Sequence, residues 1–387
     1  MPPYFYREDL DMGRSLEDLK SEIIRTLEKP LLRPELTAAA CGRVSEKILS
    51  GELRLPEGIS VPDGGLRQAA AMFSEDRLME RVNRELGDWQ YGRTVFPLGV
   101  LFHVGAGNMA GLGAYSVIEG LLTGNINLLK PASGDFLISR FLLRQLVNEE
   151  PKLSPYVHVF HIPSDKQEKL GRLAGLADAA VVWGGNDAVR AVRNLLPPDR
   201  KLIEWGHKVS FAYISMDGAS RTMDLFRLAR HLAETEGRYC NSCQLLFLDS
   251  ENMDDLLAFK KRFGTILESV RECGSLRETA GRTLRAYSNQ LSGAVGHGES
   301  DSLFPVRLLP RTEMVRVLRG MAGALQTACL ICNDAERDEL SYLLIRSGVT
   351  RVCGAGELSG IEGIGGVHDG EYALRRYCKI VEGDMVP

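Results

Sequence analysis

From about Thr94 onward, short apolar runs take turns with amphipathic stretches, and that alternation constrains the fold more than anything else in the 387-residue chain. Val100-Leu101-Phe102-His103-Val104 reads as a strand, a helix follows from about Leu112 to Leu122, and Asn127 to Lys130 reads as the next strand. The series continues with a helix over Phe136 to Asn148, a strand at Val157 to Ile162, a helix after Asp165, a strand at Ala179 to Trp183 and a helix after Gly185. A second series follows Lys208, with a strand at Val209 to Ile214, a helix from Met223 to Glu236, a strand at Leu245 to Leu248 and a helix through Asp254 to Ile266. Further runs stand at Ala328 to Ile331 and Val349 to Cys353. Strand and helix alternating at this interval form βαβ units, so the chain is expected to be α/β, with parallel sheets covered by helices. Ligands in such sheets sit beyond the carboxyl ends of the strands.

Ahead of this region, Leu16, Leu19, Ile23 and Ile24 recur at one-face spacing, as do Met79, Val82 and Leu86, which predicts a helical lead-in. Length and 44% hydrophobic side chains allow more than one core, and the domain crossing is expected to be short, near Glu204 to Lys208. The net charge of −4, with both signs mixed along the chain, gives no basic stripe for a phosphate backbone, so no nucleic-acid partner is expected. No basic start leads into an apolar core, and no stretch approaches the ~20 apolar residues of a membrane span, so no membrane span and a cytoplasmic location are expected. Eight cysteines in a chain of this kind fit reduced thiols better than a disulfide framework.

Gly105-Ala106-Gly107-Asn108-Met109-Ala110-Gly111 follows a strand and opens a helix, the context of a dinucleotide fingerprint, but its spacing is one residue longer than the usual one. The plainer reading is a tight turn that needs small residues. The next strand ends in Lys130, where an NAD site places an acidic residue about 20 positions on. A lysine there suits a ribose hydroxyl or a 2′-phosphate; otherwise it is a solvated strand end. Gly184-Gly185 closes another strand and opens another helix, a second set of backbone donors for a pyrophosphate. Two such turns in one parallel sheet favour nucleotide binding.

Among the cysteines, Cys41, Cys273, Cys329, Cys332, Cys353 and Cys378 lie in helical, strand-like or terminal runs and read as small hydrophobes. Cys240 lies instead in a polar loop, Gly237-Arg238-Tyr239-Cys240-Asn241-Ser242, between a long helix and a strand, where Arg238 favours the thiolate. Cys240 with Cys243 and Cys329 with Cys332 form two CxxC pairs. The second runs along a strand, where i and i+3 face opposite sides, so no metal is expected. Glu204, in Glu204-Trp205-Gly206-His207-Lys208, stands at a strand end and is a candidate proton handler together with His207. Taken alone, each reads as surface charge or an ordinary polar residue.

These residues resemble the aldehyde dehydrogenase superfamily, and within it the LuxC-type acyl-CoA reductases. Pro97-Leu98-Gly99-Val100 followed by Val104-Gly105-Ala106-Gly107-Asn108 resembles the superfamily's Pro-x-Gly-Val strand and asparagine-ended loop. Gly124-Asn125 through Lys130-Pro131-Ala132 resembles its Gly-Asn…Lys-Pro-Ala signature, and Trp183-Gly184-Gly185-Asn186 its Gly-Ser turn. Glu204 to Lys208 stands where Glu-Leu-Gly-Gly-Lys is found, and Cys240 with Gln244 matches the acyl-CoA reductase cysteine motif. The likeness implies an aldehyde dehydrogenase-like fold of two Rossmann-like domains behind a helical lead-in. Residues 1–205 would hold the lead-in and cofactor domain, 206–367 the cysteine domain, and 368–387 a tail returning toward the cofactor domain.

The same likeness implies Cys240 as nucleophile and an oxyanion hole from Asn108 and the Cys240 amide, with Glu204 or His207 handling the proton. Val104, Gly105, Lys130, Pro131, Ser133, Gly184 and Gly185 would meet the cofactor, Lys130 at the adenosine ribose and Gly184-Gly185 over the pyrophosphate. Ser133 replaces an acidic residue common in NAD-preferring members, which implies NADPH, with NADH admissible. The implied reaction consumes an acyl-CoA and releases CoA and an aldehyde. Aldehyde oxidation, acyl-phosphate reduction and, outside catalysis, thiol-based metal or redox binding are the alternatives. A homodimer is compatible, although Trp89 to Arg93 leads almost directly into Pro97 and leaves little room for the usual oligomerisation hairpin. Asp301 stands in the region of the superfamily's Glu-x-Phe-Gly-Pro element.

Overall fold

The chain is described here from a computed structural model, for residues 6–7, 14–56, 59, 65–87, 93–105, 107, 109–235, 242–271, 304–358, 367 and 369–382. The structure clusters into two compact units, one of Met1–Gly206 with Ile364–Pro387 and one of His207–Gly363.

In the first unit, the lead-in forms α1 (Arg14–Leu27), α2 (Pro34–Ser50), α3 (Gly65–Met72) and α4 (Glu75–Leu86). On α1, Leu19 and Ile23 are buried while Ile24 is 48% exposed, because one residue further along a helix turns the side chain by about 100° off the packed face. A six-stranded sheet follows, from β1 (Tyr6–Arg7), β3 (Val100–Val104), β4 (Ile126–Lys130), β5 (Val157–Phe160), β6 (Ala179–Trp183) and β7 (Lys201–Trp205). Its order is β1-β5-β4-β3-β6-β7 and every pairing is parallel. The intervening helices are α5 (Leu112–Leu122), α6 (Phe136–Glu149), α7 (Gln167–Leu176) and α8 (Asn186–Leu195). β4 and β6 are buried at all five positions, which is why their sequences read as unbroken apolar runs rather than as alternation.

The second unit repeats the winding. Its strands β8 (Val209–Ile214), β9 (Cys243–Leu248), β10 (Val306–Leu308), β11 (Leu325–Ile331) and β12 (Arg351–Cys353) take the order β10-β9-β8-β11-β12, again all parallel. α9 (Thr222–Thr235) leads from β8 to β9, and α10 (Met253–Arg271) follows β9. Leaving aside the edge strand β1, in both sheets a central strand is laid down first and the order reverses beside it, between β3 and β6 and between β8 and β11. That reversal is where an open parallel sheet leaves a crevice.

Several strands eluded the local reading, among them a pair that meets across the chain. β2 (Arg93–Pro97) pairs antiparallel with β13 (Cys378–Glu382), so the segment expected to lead straight into the sheet joins the C-terminus instead. The helix Ala373–Arg376 and Tyr377 then lie against one face of β3, β6 and β7, packing with Leu101, Val181, Trp183, Ile203 and Trp205. The opposite face, with Phe102, Ala180 and Val182, joins Leu173, Ala174 and Val192 of α7 and α8.

Buried charge holds the C-terminal face closed. Arg81 of α4 reaches Glu85 Oε1 through Nε at 2.7 Å and Glu119 Oε1 of α5 through its second terminal nitrogen at 2.5 Å. The remaining carboxylate oxygens accept from the Leu374 amide at 2.9 Å and from the Tyr377 hydroxyl at 3.0 Å. Burial pushes the Tyr377 phenol far up, keeping it neutral and able to donate. A buried guanidinium of this kind is tolerated only because each charged group finds partners. Arg81→Met is therefore expected to cost about 3–5 kcal/mol of stability, from two carboxylates left buried without their cation. Urea unfolding measures it, and a loss below about 1 kcal/mol, the size of an exposed pair, would contradict the account.

His103, fully buried on β3, contacts Ser116 Oγ at 2.6 Å and Asn127 Oδ1 at 2.9 Å, and burial lowers its pKa from 6.5 to about 4. A depressed folded-state pKa gives stability that is full above 6.5 and lost as the pH falls toward 4, here on the order of 3 kcal/mol. Unfolding at pH 7, 5.5 and 4.5 should show that loss, and His103→Gln should flatten it.

Candidate functional site

The carboxyl edge of the first sheet gathers most of the cofactor candidates. Val104 and Lys130 are register partners at the ends of β3 and β4, and the Gly105 amide donates to the Lys130 carbonyl at 3.1 Å. Pro131 is buried, Ser133 is exposed in the turn that follows, and an added side-chain carbon on Gly105 would stand 3.5 Å from Pro131 Cα. Lys130 is only 6% exposed; its ammonium donates to Ser164 Oγ at 2.9 Å, and burial lowers its pKa. Gly184 and Gly185 follow β6, on the far side of β3, so the seven residues flank the point where the strand order reverses.

Of the helices that begin at this edge, α5 and α8 follow the two strands beside the reversal, and their N-termini differ in what meets them. At α5, Asp135, 1% exposed, accepts the Gly111 amide at 2.5 Å, the Gly113 amide at 2.9 Å and the Ser139 hydroxyl at 2.6 Å. Burial pushes its carboxyl up, while the bonds from Ser139, Gly113 and Gly111 pull it back. The glycine-rich turn thus carries an internal anion where a dinucleotide fingerprint would hold a pyrophosphate. Gly111 takes φ +82°, the left-handed backbone of a tight turn, so the plainer reading of that glycine cluster fits the geometry. At α8, by contrast, the cap residue Gly185 has no side chain to offer, and Gly185, Asn186 and the first-turn Asp187 are exposed. Gly184 takes φ +154°, and a side-chain carbon there would come within 2.9 Å of Ala188, so glycine is required to bring the backbone this close.

Glu204 lies within β7, opposite Val182, not at its last residue. Its carboxylate pairs with Arg193 of α8 at 2.9 Å, and its carbonyl accepts from Arg376 at 3.2 Å. His207 belongs to the second unit, where it is exposed. Cys240 and Asn108, the two residues on which the implied chemistry turns, lie outside the described residues, as do Cys273 and Asp301.

What the second unit does describe is the neck of the cysteine loop. Cys243, fully buried at the start of β9, gives its amide to His231 Nε2 of α9 at 3.3 Å. Burial lowers the His231 pKa to about 4, so the ring is neutral and accepts at that nitrogen. Cys243 packs with Cys329 and Cys353, and burial raises all three thiols, the last to about 11, which makes them poor nucleophiles. Cys329 and Cys332 enter different clusters on opposite faces of β11, so that CxxC cannot close on one ion. Among the described residues no group of three or more His, Cys, Asp or Glu could hold a metal, and no helix is long and apolar enough to cross a membrane.

The family model for acyl-CoA reductase (LuxC) matches residues 55–273 and 303–380, well over half of the chain. The chain belongs to the LuxC family. A long-chain acyl-protein thioester reductase of Aliivibrio fischeri is 27% identical over 159 residues, 38% of this chain and 33% of that protein. A namesake from Vibrio harveyi is 27% identical over 160 residues, 38% and 33% of the two chains. The match therefore spans about a third of the length of these curated relatives. Among solved structures, a propionaldehyde dehydrogenase of Rhodopseudomonas palustris, with bound CoA and an acylated cysteine, superposes with a TM-score of 0.65 at 13% identity, covering 98% of each chain. At that identity the likeness is one of fold, and the LuxC-family chain has the aldehyde dehydrogenase-like fold.

Asp135 is the functional-edge residue that the sequence reading missed. It occupies the N-cap position of α6 yet makes no side-chain cap there, spending its carboxylate on α5 instead. Asp135→Ala should cost about 2 kcal/mol, as expected for losing a cap and burying the Ser139 hydroxyl without its acceptor. Ser133→Ala, in the neighbouring turn, should be close to neutral by the same denaturation measurement, and equal effects at the two sites would contradict the assignment.

Proposed function

We propose that this chain reduces an acyl thioester to the aldehyde through an acyl-enzyme on Cys240, using NADPH. The observation that carries the reading is the pairing of a family match that runs through the Cys240 loop with one helix N-terminus, at α8, that is capped by a glycine beside the strand-order reversal. The first unit is then the cofactor unit and the second the cysteine unit.

The residues present fit a nicotinamide dinucleotide. The amides of α8 behind Gly184 and Gly185 suit a pyrophosphate, and Lys130 beside the exposed Ser133 suits a ribose carrying a 2′-phosphate, with no acidic residue three positions after the lysine. When bound, NADPH supplies the hydride. Cys240 as thiolate attacks the acyl carbonyl, and the carrier leaves as its thiol after taking a proton. Asn108 and the Cys240 amide stabilise the oxyanion in that step and again in the thiohemiacetal formed on reduction, each donor contributing about 3 to 4 kcal/mol in comparable acyl transfers. Collapse of the thiohemiacetal releases the aldehyde and returns the Cys240 thiolate.

Glu204 or His207 passes the proton. The Arg193 partner on the Glu204 carboxylate favours that limited role over activation of water, which aldehyde oxidation requires. The donor is assigned to acyl-CoA, as in the family's description, and the acyl-protein named in the relatives is the competing carrier. Both belong in one assay of aldehyde formation. Cys240→Ser is expected to abolish turnover with either donor, while Cys243→Ala, which changes a packed thiol, retains most of it. Equal loss in the two variants would point to a dithiol and overturn the proposal.

A further inference from the structure

The two edges of the second sheet are built differently. At the carboxyl edge the Ser215 amide donates to the Ile331 carbonyl at 3.0 Å, and Gly218 packs so close that a side-chain carbon there would collide with that oxygen. The chain's own backbone thus fills the reversal between β8 and β11. At the amino edge the ladder is irregular on both sides of β8. Ser210 faces Cys243 but Phe211 faces Leu245, so Gln244 is an extra residue in β9. Val209 faces Leu325 and Phe211 faces Ala328, so β11 carries an extra residue as well. Bulges are uncommon between parallel strands and recur beside active sites, where they re-aim a side chain.

Side chains supply bonds at this irregular edge. The Cys243 amide donates to His231 Nε2 of α9 at 3.3 Å, the Gln244 side-chain amide donates to the Lys208 carbonyl at 3.2 Å, and Ser210 Oγ accepts the Thr327 amide at 3.3 Å. His231 is 2% exposed, and Ser242 and Cys243 are fully buried. An imidazole accepts at Nε2 only while that nitrogen is unprotonated, so the ring proton sits on Nδ1. The chain enters the bulge from Cys240. Two residues of chain span at most about 7 Å, so the anchoring of Ser242 and Cys243 limits where the Cys240 thiol is presented.

We propose that His231 and Gln244 are positioning residues for Cys240. His231 fixes the neck of the loop against α9, and Gln244 fixes it against Lys208, next to His207 in sequence. Both act through the backbone of the neck, and the assignment rests on Cys240 being the nucleophile. Loosening either bond leaves the thiol in place chemically but spreads its orientations, and a misplacement of about 1 Å can cost a hundredfold in rate.

Alkylation of the full chain by iodoacetamide, mapped by peptide mass analysis without any acyl donor, reads the thiol directly. His231→Leu should slow Cys240 modification about tenfold. His231→Gln, whose side-chain oxygen accepts at a similar reach, should restore most of the rate. Gln244→Glu, the same size without the donor, should slow it as His231→Leu does, and kcat/KM for acyl-CoA should fall in the same order with KM for NADPH unchanged. Unchanged rates in His231→Leu and Gln244→Glu, or no recovery in His231→Gln, would overturn the assignment. If His231→Leu opens the fold, seen as modification of the buried Cys243, the rates of the other two variants decide. A Cys240 rate that follows the variants with no acyl adduct in the unaltered chain sinks the reductase reading alone. Acyl transfer through Cys240 at equal rates in all variants sinks the positioning alone.

Discussion

The first unit depends on a single buried cation. Arg81 sits between Glu85 and Glu119, and the carboxylate oxygens it leaves over accept from the Leu374 amide and the Tyr377 hydroxyl. Residues far apart in the chain are thereby locked onto one face of β3, β6 and β7. Remove the guanidinium and two carboxylates remain in an apolar layer with Trp183 and Trp205, a state that costs more than most single contacts return. The same face backs β3 and β6, the strands that Gly105 and Gly184 follow.

At that edge, the two helix N-termini show how a fold sorts equivalent positions. Each offers free amides and a partial positive charge, and each lies beyond the end of a strand. Asp135 satisfies the one behind Gly111, whereas the one behind Gly185 has a cap residue without a side chain. The buried Lys130 adds the only strong positive charge along β4 at this edge among the described residues, with Ser133 in place of an acid.

Much of this was legible in the sequence. The strands Ala179–Trp183 and Val209–Ile214 and the helix Leu112–Leu122 were readable to the residue, because buried parallel strands are unbroken apolar runs bounded by glycine and polar turns. The family motifs also marked Lys130 and Gly184-Gly185, which the fold gathers at one edge. What local pattern could not give was contact at long range. The pairing of β2 with β13 and the bond from Tyr377 to Glu119 join residues more than 250 positions apart, and neither partner carries a periodic signal of its meeting. Asp135 went unread for a different reason: an aspartate just ahead of a helix signals at most a cap on that helix, whereas its carboxylate also accepts amides of α5.

The central claim is that Cys240 carries the acyl group between thioester and aldehyde. The most direct test is to incubate the chain with long-chain acyl-CoA and acyl-protein donors without reductant, map the adduct by peptide mass analysis, and then add NADPH. The account predicts one acyl group per chain, on the peptide containing Cys240, discharged as aldehyde when NADPH is added. An adduct on another cysteine, or one on Cys240 that leaves only as the free acid, would contradict it.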